Sequence, residues 1–270
     1  MVGALFLFFF VSFAIKYKDF QESKTNTEII NNLDNTLTAL QASSFKTFDT
    51  LNLPVKITSR CGKLNAEERE VKTKNIIFSP RQLDKKILIW YEPYKLPFKI
   101  SSFYYIIPDD AKYYFVEDFG TLSSELLENM PEDIRKKFSV IRSSNLKNDG
   151  KLIFLDASGF DNKGVKVNGD INQGTVIVNG EEKIYVGREL LYGAIFGDDY
   201  SCLLDKIKEE TNNVGNVYKS KINVINRVSC NYNLVIDYIN NLQSNLDYEI
   251  AKDLDEENTR LIGQGCVGVF

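Results

Sequence analysis

The segment that most limits what this chain can become is its first one. Val2 to Ile15 (VGALFLFFFVSFAI) carries no charge and one hydroxyl, Ser12, and Leu5 to Val11 leave no polar face. A helix apolar all round must be buried in protein or in lipid. At 1.5 Å per residue this run reaches about 21 Å, short of the roughly 30 Å hydrocarbon core. Tyr17 and Phe20, with Lys16 and Lys18 snorkelling, lengthen it. No basic region precedes it and Ala14-Ile15-Lys16 is a poor cleavage site, so a removable signal is not expected. The expectation is an uncleaved, single-pass membrane anchor over residues 1–20 that meets lipid through Val2 to Ile15.

From Thr27 to Leu53 the apolar residues Ile30, Leu33, Leu37, Leu40, Phe45, Phe48 and Leu51 recur mostly every three or four positions, with no Pro or Gly before Pro54. That spacing predicts an amphipathic helix over residues 21–54. Its apolar face must pack on its own domain or on another molecule. The Ile30, Leu33, Leu37, Leu40 face is therefore the candidate surface for self-association or a protein partner.

With 43% hydrophobic and 26% charged residues the 270-residue chain can bury a core. A net charge of −4 offers no electrostatic footprint for nucleic acid. There is no histidine, which removes Ser-His and Cys-His nucleophile pairs, histidine-ligated zinc and the commonest general base. Four cysteines, Cys61, Cys202, Cys230 and Cys266, are widely spaced with no C-x-x-C pair. Two disulfides in an oxidising compartment is the favoured reading; four unconnected thiols or a four-thiolate zinc site are the alternatives. Lys16, Lys18 and Lys24 after the anchor argue instead for a cytoplasmic domain. The cysteines are given more weight, and the domain is placed outside.

After Pro54 the pattern turns to strands, over Pro54 to Ser59, Val71 to Phe78, Lys86 to Trp90 and Phe98 to Ile107. Asn65 to Arg69 reads as a charged connection, and Pro93 and Pro97 confine their stretch to a loop or an edge. A strand at Lys112 to Val116, a helix at Ser123 to Lys137 and strands at Phe138 to Arg142 and Leu152 to Asp156 suggest a small βαβ-like unit. Gly164 to Gly187 is rich in hairpins, with Asn168-Gly169 and Asn179-Gly180 as turns. Helices follow over Ser201 to Val228, Asn231 to Leu246 and Asp253 to Ile262. The fold class is α+β: membrane and amphipathic helix, a mixed-sheet domain over 55–195 and a helical cap over 196–270. If Ser201 to Val228 is one helix its ends lie roughly 40 Å apart, so Cys202 cannot meet Cys230. The next two helices run down and back, which returns Cys266 toward Cys230 and favours Cys230–Cys266 with Cys61–Cys202, unless Gly215 breaks the helix.

The anchor with its amphipathic continuation resembles the N-terminal helix of type IV pilins and related archaeal surface proteins. Together with ILIWYEPYKLPFKISSFYYIIP (Ile87 to Pro108), ELLYGAIFGDDYSC (Glu189 to Cys202) and ENTRLIGQGCVGVF (Glu257 to Phe270), it is similar to a set of uncharacterised archaeal single-pass membrane proteins. The resemblance implies a compartment and a pilin-like architecture, and no reaction.

Few constellations point to chemistry. Gly263, Gly265 and Gly268 spell G-x-G-x-x-G, but a helix precedes them where a strand is needed. Asp109 with Asp110, and Glu117 with Asp118, follow successive strands and read first as turn residues; Asp198 and Asp199 read as charging a helix N-terminus. Asp156, Ser158 and Asp161 sit at a strand end, where α/β sheets place ligand sites. The aromatic run supplies a candidate ligand face, Trp90, Tyr91, Tyr94, Tyr104 and Tyr105, although packing under the N-terminal helix accounts for it better. No catalytic residue, metal or cofactor is assigned. The expected role is a membrane-anchored, extracytoplasmic structural or interaction component of the cell surface. The alternatives are a surface solute- or peptide-binding domain using the aromatic face, and a cytoplasmic-facing membrane protein.

Overall fold

The computed structural model describes residues 2–43, 47–66, 69–70, 75–156, 164–225 and 230–270. Helix α1 spans Val2–Ala42. Ile29, Leu33, Leu37 and Leu40 line its buried face at the three- and four-residue spacing of one helix side. Val11, Phe13, Ile15 and Tyr17 are exposed. The chain does not stay helical to Leu53, as the sequence periodicity predicts; it becomes strand β1, Phe48–Arg60. Leu51, Leu53, Val55 and Ile57 recur every second residue, a period that a strand turns to one face and a helix scatters. Phe48 and Leu51 matched a helical spacing by coincidence, and Phe45 lies outside the described residues.

The first sheet adds β2 (Lys63–Ala66), β3 (Arg69–Glu70), β4 (Ile76–Phe78), β5 (Gln82–Lys95) and β6 (Lys99–Pro108), in the order β3-β2-β1-β5-β6-β4. All neighbours are antiparallel except β4 with β6. The expected connection over Asn65 to Arg69 thus contributes to the β2–β3 pair, and of the expected strand Val71 to Phe78 only its end is described, as β4. β1 pairs with β5 no further than Trp90, so Pro93 occupies the edge position that a strand proline requires. Alternation sends the side chains of β5 and β6 to opposite faces. Ile87, Ile89, Tyr91, Tyr104 and Ile106 pack with Leu33 and Leu37 of α1, and the Tyr104 hydroxyl donates to the Leu37 carbonyl at 2.7 Å. Leu88, Trp90, Tyr94, Phe103, Tyr105 and Ile107 enter a second, larger core.

The second sheet contains β7 (Tyr113–Glu117), β8 (Phe138–Ile141), β9 (Lys151–Asp156), β10 (Val165–Gly169), β11 (Gln173–Val178) and β12 (Glu181–Val186), in the order β12-β11-β10-β9-β7-β8. The strands from β10 to β8 run parallel, and β10, β11 and β12 are antiparallel. The βαβ-like unit is β7 to β8. Its connection is two short helices, α2 (Leu122–Glu128) and α3 (Glu132–Arg135), in place of one helix over Ser123 to Lys137. Pro131 disfavours helical backbone at the residue before it and so separates them. Asn179 and Gly180, both at positive φ, form the β11–β12 turn as expected. Asn168 and Gly169 instead pair within the β10–β11 ladder, one step short of the turn.

Between the sheets lies α4, Arg188–Phe196, whose residues Leu190 to Phe196 are all buried. A helix apolar all round belongs inside. A Cβ on Gly193 would sit 2.6 Å from the Phe78 ring, so the helix reaches the sheet only because that position is glycine. Tyrosine hydroxyls tie the layers by donating to backbone carbonyls: Tyr94 to Val186, Tyr105 to Glu189, Tyr192 to Leu126 and Tyr200 to Ile184. The C-terminal helices are α5 (Tyr200–Ile225), α6 (Asn233–Ser244) and α7 (Tyr248–Gly263). α5 is unbroken at Gly215. The cysteines form the favoured pairs, Cys61 with Cys202 and Cys230 with Cys266, with α-carbons 5.7 and 5.9 Å apart. α7 begins earlier than expected because Asp247 caps it, accepting from the Glu249 and Ile250 amides.

Leu33 is fully buried under the first sheet. Leu33→Ala is expected to cost about 2–5 kcal/mol in urea unfolding; a change within about 0.5 kcal/mol would mean that α1 does not cover the sheet in solution.

Candidate functional site

In open α/β sheets, ligand sites form at the carboxyl ends of parallel strands, where successive connections leave in opposite directions. Here β7 connects to β8 on one side, and the chain then returns to place β9 on the other side of β7. Glu117, at the end of β7, is the register partner of Asp156 at the end of β9. Two hollows flank it. One, about 1010 Å³, lies between the start of α2 and the ends of β7 and β8, and Phe119, Val140, Arg142, Leu146 and Lys147 line it. The other, about 420 Å³, is bordered by Glu117, Glu125, Leu155 and Asp170.

The carboxylates at this end tie the loops to the strands. Glu117 accepts from the Ser123 amide at 3.3 Å and from its hydroxyl. Asp118 accepts from the Ser143 amide at 2.9 Å and hydroxyl at 2.6 Å, holding the 3₁₀ turn Ser143–Asn145 that follows β8. Arg142 and Lys147 are exposed, and neither makes an ion pair among the described residues. The larger hollow therefore has an occupied acidic floor, two available cations and three exposed apolar side chains at its lip. Phe119 is 80% exposed, Val140 49% and Leu146 45%.

A second polar cluster is half-buried. Glu92 of β5 turns toward α4, where the Arg188 guanidinium lies 3.9 Å from Glu92 Oε1 and 3.2 Å from Glu189 Oε1. Arg188 also donates to the Asn129 side chain. Glu92 Oε2 and Arg188 Nε are buried without a hydrogen-bond partner. Burial, and next the neighbouring Glu189 charge, push the Glu92 carboxyl up to about 8 against the pull of Arg188. Glu92 is therefore mostly protonated at neutral pH. The sequence reading passed over it; its signal is a lone acid within the apolar run ILIWYEPY.

The other expected residues separate. Trp90, Tyr94 and Tyr105 face α4, while Tyr91 and Tyr104 face α1. None is more than 7% exposed. These rings form no open ligand face; both sides of their sheet are covered, and their bulk fills the two cores. Ile30, Leu33, Leu37 and Leu40 likewise pack on their own chain's sheet. Asp109 pairs with Lys86 and Lys137, and Asp110 with Lys85. Asp199 stands at the start of α5 as expected, but its carboxylate accepts from the Cys61 amide and the Arg81 guanidinium, and Asp198 accepts from the Arg81 amide. Gly263 ends α7, with Gly265 and Gly268 in the tail beyond it. Ser158 and Asp161 lie outside the described residues. Among the described residues no cluster of three or more His, Cys, Asp or Glu side chains could hold a metal ion. Comparison with known proteins gives no match: no family model, curated protein or solved structure is significantly similar to the chain.

Between its ordinary value of 4.5 and about 8, folded Glu92 keeps a proton that the unfolded chain has lost. Its contribution to stability is complete below that window and is lost as pH rises through it. Urea midpoints should fall from pH 5 to pH 8.5, with a shallower fall in Glu92→Gln; equal slopes in the two proteins would show that Glu92 ionises normally.

Proposed function

We propose that this protein is a membrane-attached, extracytoplasmic structural or interaction component, with α1 as its tether and the two-sheet domain as its working part. The observation that carries the reading is the exposure of Val11, Phe13, Ile15 and Tyr17 on a helix whose second half buries one face against the sheet. Val11 with Ile15 and Phe13 with Tyr17 form exposed apolar pairs on different sides of the helix, and such groups mark a surface that another phase or molecule covers. Among the described residues no helix is long and apolar enough to cross a membrane. The tether therefore rests on apolar insertion, with Lys16 and Lys18 placed to reach headgroups. Two disulfides support an oxidising compartment. The division of α1 into an apolar first part and a sheet-packed second part is the layout of a pilin-like helix, and supports a surface role. The cytoplasmic-facing alternative keeps one observation in its favour, the three lysines that follow the apolar run.

The full-length protein should float with liposomes in a density gradient, and a Phe13→Asp, Ile15→Asp variant should remain at the bottom with its folded domain intact by circular dichroism. Full-length protein that stays at the bottom and dissolves without detergent would contradict attachment.

A further inference from the structure

The hollow at the ends of β7 and β8 lies beside a strand edge that is open to pairing. β8 is the terminal strand of its sheet. The Tyr113 amide donates to the Lys137 carbonyl across the β7–β8 ladder. In a parallel pair, residues bonded to one neighbour alternate with residues turned away from it. Lys137 and Ser139 thus face β7, and the amides and carbonyls of Phe138 and Val140 point to the free edge. Such a row is a template for an added strand. The Val140 side chain, on the same face as buried Phe138, stands exposed in the hollow with Leu146 and Phe119.

The segment that forms this edge is basic. From Ile134 to Asn148 the chain has Arg135, Lys136, Lys137, Arg142 and Lys147 and no acidic residue, in a protein of net charge −4. Lys136 is answered by Glu132 and Asp133, and Lys137 by Asp109. Arg142 and Lys147, the two that line the hollow, are not answered by an ion pair among the described residues. Native sheets often place cations on edges to repel further strands, but here the cations flank an exposed apolar patch in place of a polar one. Glu117 and Asp118 in the floor are already engaged by Ser123 and Ser143.

We propose that β8 and the adjoining hollow bind an extended peptide segment of another protein that carries an apolar residue and, two positions on, an acidic residue on one face, since Val140 and Arg142 stand two residues apart on the hollow face of β8. The segment adds as a further strand on β8, sets an apolar side chain against Val140 and Leu146, and pairs its carboxylates with Arg142 and Lys147. This deepens the interaction role by naming the partner's chemistry. It depends on the domain alone, so it stands or falls separately from membrane attachment.

The test is fluorescence anisotropy with full-length protein in detergent and three labelled hexapeptides: Thr-Val-Thr-Glu-Thr-Glu (Val/Glu), Thr-Val-Thr-Lys-Thr-Lys (Val/Lys), and the Val/Glu peptide with Pro at its two central positions. The Val/Glu peptide should bind, more weakly as salt rises. The Val/Lys and proline peptides should bind at least about tenfold more weakly. Arg142→Glu with Lys147→Glu, both on exposed positions, should reverse the preference between Val/Glu and Val/Lys while leaving the thermal midpoint unchanged. The proposal is overturned if no peptide binds, if the double variant keeps the original preference, or if the proline peptide binds as well as its parent. The first two outcomes remove the site, and the third leaves a charged patch without strand addition.

Discussion

The structure depends on a sheet that is dry on both faces. β5 and β6 place apolar side chains outward on either side, and each side needs a lid. α1 supplies one through Leu33, Leu37 and Leu40, and α4 supplies the other through a helix with no polar side. Each buried side chain of this size contributes about 1.5–3 kcal/mol by leaving water. The close approach of α4 is made possible by Gly193 against Phe78, and the hydroxyls of Tyr94, Tyr104 and Tyr105 find backbone acceptors across the layer boundaries. Unsatisfied, each of those buried hydroxyls would cost about as much as a packed side chain gains.

This two-sided burial also shapes the outer surface. Because the aromatic run is consumed by packing, its rings are not available to a ligand, and the exposed apolar groups concentrate elsewhere. One set is on the first part of α1, beyond the sheet that covers its second part. Another is at the end of β8, where Val140 continues the inward face of the second sheet past the point at which the core ends, and further exposed apolar residues, Val217, Val224, Leu234 and Ile262, are spread over the C-terminal helices. The first two sets are continuations of buried faces onto exposed ground. They carry the two functional proposals, attachment and strand addition.

Much of the architecture was legible in the residues. The parallel crossover, the Asn179-Gly180 turn, the continuous α5 and the cysteine pairing all follow from local periods and from the reach of a helix. The end of α1 was not legible, because Phe48 and Leu51 fit a helical spacing while Leu51 also begins the two-residue period that runs to Ile57, and only pairing with β5 decides between them. α3 stands apart from α2, against the single helix that the spacing from Ser123 to Lys137 predicts, because Pro131 breaks the helical backbone before it. At the candidate site, the sequence marked Glu117, Asp118 and Asp156 as strand-end acids, and the structure gathers them at one end of the sheet. What Glu117 and Asp118 do there depends on Ser123 and Ser143, whose positions come from the crossover and not from any spacing. Glu92 was missed because its perturbation comes from burial among residues far away in sequence.

The most direct measurement of the two-sided sheet is native-state hydrogen exchange on the full chain. Amides of α1 from Ile29 to Leu40 should exchange with the same free energy as those of β5 and β6, all opening only when the domain unfolds globally. Exchange in that part of α1 much faster than in β5 would show that the helix is a loose appendage, and that the face of the sheet beneath it is open to solvent.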